Sequence, residues 1–301
     1  MSTLVSSPPG SQGPGPMQAA LVEALDLVLA SRAAGPLPGE RRAVGLGLGT
    51  ELAQIRPYQV GDDVRTLDAA ASARTGLPHV RDHVPERTLT TWLLVDVSAS
   101  MAFGTADRLK SDVAEGVALV LGRLAVRRAG RIGLLTCGAP EPQQMAPSAG
   151  RSALVQLRRS LAKGVAADGH APEDALEQGM RRVNRLARGH SLVVVVSDFR
   201  EESRWARALR ALGARHDVLA VEVFDPRETE LPDVGHLTLV DPETGQRVEA
   251  DSSSAELRRR FAAAELARRD GLKSHLRRAR ARHVEVGTDQ DWLRALGRSL
   301  R

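Results

Sequence analysis

From Thr91 onward, apolar runs of strand length alternate with longer stretches whose apolar residues recur at helical spacing. The strand-like runs are Trp92 to Val95, Ile132 to Cys137, Leu192 to Ser197, Val218 to Phe224 and His283 to Val286. Between them lie Arg108 to Arg128, Ser152 to Lys163, Pro172 to Leu186, Ser203 to Ala214 and Ser254 to Ala281. Continuously apolar strands separated by amphipathic helices predict an α/β fold, a doubly wound and mostly parallel sheet with helices on both faces. A hairpin, Leu237 to Val240 with Arg247 to Glu249, decorates it. Upstream the pattern changes. Met17 to Ala33 carries Leu21, Leu25, Val28 and Leu29 at helical spacing and is ended by GPLPGERR. Val44 to Glu86 breaks into short apolar stretches between glycines and prolines, which reads as strands and turns. The first 16 residues, MSTLVSSPPGSQGPGP, have the composition of a disordered tail. The expected organisation is a tail over 1–16, a helix over 17–35, a small β-rich segment over 36–89 and the α/β domain over 90–301.

Composition narrows the function classes. A hydrophobic content of 42% is ample for a core, but aromatics are only 3%, so Leu, Val and Ala carry the packing. No apolar stretch approaches the ~20 residues of a membrane helix, and the N-terminus has neither the basic start nor the apolar core of a signal peptide. The expectation is a cytoplasmic chain without membrane insertion. Cys137, the single cysteine, excludes an internal disulfide and a thiolate zinc cluster and reads as a buried strand residue. The net charge of +5 and pI of about 10.2 suggest nucleic acid, as do LRRRF at Leu257 to Phe261 and LRRARAR at Leu276 to Arg282. Acids are interspersed throughout, however, and no aromatics interleave with the basic runs as a base-stacking surface requires, so these are solvated helix faces.

Enzyme signatures are missing. GLGLGTE at Gly45 to Glu51 has the wrong spacing for a phosphate loop and reads as a turn; no P-loop and no Gly-x-Ser-x-Gly elbow occurs. A phosphatase of the haloacid-dehalogenase type would need an acid two positions after Asp96, where Ser98 stands.

The chemistry lies at strand ends. Doubly wound sheets place ligands at the carboxyl ends of their strands. LLVDVSAS sets Asp96, Ser98 and Ser100 on alternate positions there, and VVVVSDF puts Asp198 at the same end of another strand. Such hard oxygen donors suit Mg2+ or another divalent cation.

Asp96-x-Ser98-x-Ser100 with the later Asp198 resembles the metal-ion-dependent adhesion site of von Willebrand factor A-type domains. The resemblance implies that the two serines bind the metal directly, that the carboxylates act largely through water, and that an open position attracts a partner's carboxylate. Such domains also supply a Thr from a third loop. Here that loop reads AADGHAPEDAL, Ala166 to Leu176, and has no Thr; His170 stands nearest the Thr position, and Asp168 is the other candidate ligand.

IRPYQVGDDVRTLDAAASARTG, Ile55 to Gly76, is similar to the signature of the bacterial domain of unknown function 58 family, through Arg56, Tyr58, Gly61, Asp62, Asp63, Arg65, Asp68, Ser72, Ala73 and Arg74. Ala69 stands where the family usually has Trp. Read from the residues alone, the acids of GDDVR cap a turn and pair with Arg65, Arg56 or Arg74, while Arg65, Asp68 and Arg74 are expected to hold the segment onto the α/β domain. Membership implies a neighbouring MoxR-type AAA+ ATPase as partner and an adaptor or co-chaperone role. The competing readings are an adaptor with a degenerate metal site and a basic nucleic-acid-binding protein.

Overall fold

The computed structural model describes residues 4–5, 13–15, 51–84, 89–104, 108–169, 174–201 and 203–299. The chain divides into two units, Glu40–Thr88 on one hand and Met1–Gly39 with Leu89–Arg301 on the other. The helix expected over 17–35 and the turn over 45–50 lie outside the described residues. Within the stretch expected to be disordered, β1 (Leu4–Val5) pairs antiparallel with β7 (Val165–Ala166), and the Pro14 carbonyl accepts from Trp292 Nε1 at 3.0 Å.

In the smaller unit, β2 (Glu51–Pro57) pairs antiparallel with β3 (His79–Val84), and a short helix, α1 (Ala69–Thr75), stands between them. The helix breaks the all-strand expectation, and its cause is in the sequence. Asp68 accepts from Ala71 N–H at 2.8 Å as N-cap, and Gly76 closes the helix at φ 72°, a left-handed conformation that suits glycine. The signature residues are held locally. Arg56 donates two hydrogen bonds to Asp62, at 2.7 and 2.8 Å, and Asp63 accepts from Arg65 N–H. Asp68 pairs with Arg81 at 2.7 Å, a partner from β3 that the sequence reading did not name.

The larger unit is built on six strands in the order β12-β9-β8-β4-β5-β6: β4 (Thr90–Asp96), β5 (Arg131–Cys137), β6 (Gln144–Ser148), β8 (Leu192–Ser197), β9 (Asp217–Phe224) and β12 (Arg282–Gly287). All neighbours are parallel except β6, an antiparallel edge strand absent from the sequence reading. Both faces are covered, which explains the unbroken apolar runs. Leu93 and Val95 belong to the core shared with α2 (Lys110–Arg127), α3 (Gly150–Leu161) and α7 (Trp292–Ser299). Trp92 and Leu94 face the other way, toward α4 (Ala175–Leu186), α5 (Ala206–Arg215) and α6 (Ala255–Arg278). The four central strands, β4, β5, β8 and β9, therefore feed both cores. β10 (His236–Val240) and β11 (Arg247–Asp251) form the expected hairpin, inserted between β9 and α6.

The chain leaves β4 to one side for β5 and returns on the other side as β8. The carboxyl ends of β4 and β8 thus flank the point where strand order reverses, the ordinary place for a ligand in such a sheet.

Candidate functional site

Asp96 is the last residue of β4 and is buried. Its Oδ1 accepts from Ser98 N–H at 2.9 Å and its Oδ2 from the Ser197 hydroxyl at 2.6 Å. The following loop is sewn to its neighbours: Val97 N–H donates to the Cys137 carbonyl and Ala166 N–H to the Val97 carbonyl. Ser98 stands at the N-cap of the turn Ala99–Ala102, yet its hydroxyl makes no capping bond. It lies 3.1 Å from the Ser100 hydroxyl instead, and both serines are buried. Gly138, just past β5, lets the chain lie close against Asp96 and Ser98. Its φ is 87°, and a Cβ there would come within 2.5 Å of Ser98 N and 2.8 Å of Asp96 Oδ1.

Asp198 follows Ser197 at the end of β8. Its Oδ2 accepts from Lys110 Nζ at 2.6 Å, and the same ammonium donates to Glu228 Oε1 at 2.6 Å. Lys110 is fully buried. Burial pushes the Asp198 carboxyl up, but the Lys110 and Arg200 charges outweigh it and hold it below the usual carboxylate range. The next residue, Phe199, has φ 52°, a left-handed conformation rarely adopted by a bulky side chain. Its ring packs edge-on against Trp205 at 5.4 Å, and its N–H donates to the Ser197 hydroxyl, so packing and hydrogen bonding together hold the strained residue.

Two further acids complete the cluster. Glu201 Oε1 accepts from Leu176 N–H, at the start of α4, at 2.9 Å. Glu243, in the turn between β10 and β11, accepts from Ser100 N–H at 3.1 Å. Glu201 Oε2 and Glu243 Oε2 are both buried without a hydrogen-bond partner. Burial, and then the charge of Asp198, raises Asp96 to about 6. Burial, with the charges of Asp96, Glu243 and Asp198, raises Glu201 to about 8. Burial also raises Glu243. Negative charge is in excess here, and the donors are carboxylates and hydroxyls, so the residues fit a hard divalent cation.

The structure gathers Asp96, Ser98, Ser100 and Asp198 at one rim of the sheet. Asp168 lies exposed in the turn after β7, and the side chain that meets α4 at this rim is Glu201. His170 lies outside the described residues. Sequence reasoning missed Lys110, Gly138, Ser197, Glu201, Glu228 and Glu243. A signal existed for Lys110, because Val113, Ala114 and Val117 follow it at helical spacing and put it on the buried stripe of α2. None existed for Glu243, which the hairpin brings from 143 positions away in sequence.

The chain matches the family described as protein of unknown function DUF58 over residues 54–271. Uncharacterized proteins of Mycobacterium tuberculosis and Mycobacterium bovis are 38% identical over 284 residues, covering 92% of this chain and 87% of theirs. Similar solved structures include BatB from Bacteroides thetaiotaomicron, at 13% identity with a TM-score of 0.44, covering 70% of this chain and 97% of that one. An aerotolerance-related membrane protein from Bacteroides fragilis gives 14%, 0.42, 70% and 98%, and a von Willebrand factor type A protein from Catenulispora acidiphila 11%, 0.37, 74% and 44%. The cytoplasmic placement expected from the sequence is corrected here: a structural neighbour is itself a membrane protein. Among the described residues no helix is long and apolar enough to cross a membrane, which describes the helices and not a compartment.

Proposed function

The chain belongs to the DUF58 family, and on that footing we propose that it is a non-enzymatic interaction module of the von Willebrand factor A type whose contact depends on a divalent cation. Ser98 and Ser100 would hold the cation directly, with Asp96 and Asp198 behind them; Mg2+ matches the hardness of these donors. Bound there, it would supply an electrophilic coordination position for an acidic partner group. The residues of the chain do the rest. Ser197 orients Asp96, Lys110 keeps Asp198 ionised, and Gly138 leaves room for Ser98 beside the Asp96 carboxylate. The observation that carries the reading is the surplus of carboxylate at this rim, with Glu201 Oε2 and Glu243 Oε2 buried and without partners.

The partner we propose is a MoxR-type AAA+ ATPase, contributing an Asp or Glu, with the chain as its adaptor or co-chaperone. The test begins with the cation. Mg2+ at about 100 times its dissociation constant should add roughly 2.7 kcal/mol to stability, seen as a higher melting temperature than in EDTA. Asp96→Ala, or the double change Ser98→Ala and Ser100→Ala, should abolish that increment and weaken capture of the ATPase. Coincident melts with and without Mg2+, and equal capture in EDTA, would sink the metal-dependent reading and leave an adaptor with a degenerate site.

A further inference from the structure

The rim already meets a carboxylate, and it belongs to the chain itself. Glu243 sits at the tip of the β10–β11 hairpin and reaches Ser100 N–H at 3.1 Å. A second contact fixes the same tip: Gly169 N–H donates to the Pro242 carbonyl at 2.8 Å. The turn is rigid in its own right, since Asp241 accepts from Glu243 N–H at 3.0 Å and from the Thr244 hydroxyl, and Gly245 N–H donates to the Asp241 carbonyl at 2.7 Å. Among the described residues, β10 and β11 pair only with each other and stand outside the six-stranded sheet. Both strands are largely exposed. The hairpin can therefore swing away without breaking a ladder of the main sheet. Lifting it costs the contacts at its tip and leaves its own register intact.

We propose that Glu243 is a built-in competitor: the hairpin closes the site in the resting protein, and an acidic segment of a partner enters only by displacing it. The proposal rests on the carboxylate-binding reading above and adds its regulation. The chemistry of the occupant and of the incoming group is the same, a carboxylate directed at the Ser98 and Ser100 loop. Binding of a partner is then reduced by the fraction of time that the hairpin is open. Removing Glu243 should raise affinity, the opposite of what loss of a partner-contacting residue does.

The full chain tests this with Glu243→Ala and the milder Glu243→Gln, which keeps the shape and an acceptor but not the charge. Glu249→Gln, on the exposed face of the same hairpin, is the control. Amide hydrogen exchange, measured without metal, should speed up in the Ser98–Ser100 loop and at the Pro242–Gly245 turn in Glu243→Ala, and stay unchanged in the control. A fluorescein-labelled peptide carrying one glutamate, titrated in millimolar Mg2+, should bind Glu243→Ala about tenfold or more tightly than the unaltered chain, with Glu243→Gln between them. Unchanged exchange in Glu243→Ala overturns the proposal. So does a peptide affinity that is equal, weaker or undetectable in both chains. Calorimetry with Mg2+ alone separates this failure from that of the underlying reading: a chain that takes no Mg2+ loses the metal dependence, while the exchange difference still reports whether the hairpin covers the rim.

Discussion

Two acidic clusters stand close together in this molecule, and they are built on opposite principles. At the β4/β8 rim, Asp96, Asp198, Glu201, Glu228 and Glu243 converge, with Lys110 and Arg200 as the paired cations; the groups without partners are carboxylate oxygens. On β9 and β12, Glu222 and Glu285 meet His283 at 2.9 and 3.9 Å, Arg268 and Arg269 reach Glu222, and Lys273 reaches Glu285 at 3.0 Å. There the unsatisfied groups are guanidinium nitrogens of Arg269. Glu222, His283 and Glu285 have ligand atoms close enough for a metal, yet their charge is already answered by α6. Glu265 touches both systems, pairing with Arg200 on one side and Arg268 on the other. Proximity of acids is thus a poor sign of a ligand site; charge left over after the neighbours are paired is a better one. A buried ion pair with its partners in place is architecture.

The largest test of this contrast is Lys110→Met. It strands the buried Asp198 and leaves Glu228 with Arg200 alone, and should cost about 3–5 kcal/mol, read from urea denaturation. Lys273→Met removes a partly exposed cation from the second cluster and should cost at most about 1 kcal/mol. Similar losses in both would erase the distinction. Glu222→Gln is the next test. It should leave the Mg2+-induced stabilisation of roughly 2.7 kcal/mol intact, because the second cluster needs no added cation. Loss of that increment would move the metal to β9 and β12.

The subtlest test is a pH series on His216, a buried group outside both clusters. His216 is buried with both ring nitrogens lacking hydrogen-bond partners, and it is faced by Arg215 and by His190, whose own ion-pair partner is Asp217. Burial first, then the Arg215 charge, lowers it from 6.5 to about 4. The folded state therefore takes up this proton later than the unfolded one. The contribution is complete above the unfolded value and is lost as pH falls through that window toward 4. His216→Phe should remove this acid-side loss, so that the urea midpoint falls less, or rises more, from about pH 7 to 5 than in the unaltered chain; the raised Asp96 and Glu201 carboxyls act with the opposite sign, and an unchanged profile would show that His216 contributes nothing.

What the sequence made legible follows from what is local. Apolar runs and helical spacing mark β4, β5, β8, β9 and β12 because both faces of the sheet are covered. The edge strand β6, QMAPS, was not legible: it is five residues long, contains a proline and buries only Met145. α1 was masked by the strand-like character of its surroundings, although its Asp68 cap and Gly76 stop were both in view. In the site, the Asp96, Ser98 and Ser100 spacing was readable because one loop holds all three. Glu201, three residues past Asp198, was not, because its place at the site shows only in its contact with the start of α4, and Glu243 was not, because tertiary contacts alone bring the hairpin to that loop.

The two edges of the sheet carry a further implication, for the behaviour of the protein in concentrated solution. β6 lies antiparallel to β5 with a register shift between Ile132 and Leu134, and Pro147 leaves this edge strand one amide donor short. At the opposite edge, β12 carries Arg282, His283 and Glu285 at positions that are only part-buried, so a second sheet docking there would have to desolvate charge. Both borders of the six-stranded sheet are thereby closed to strand addition. Edge-to-edge aggregation of this sheet is disfavoured by construction, and a partner that recognises its targets by extending a β-sheet finds no template on it.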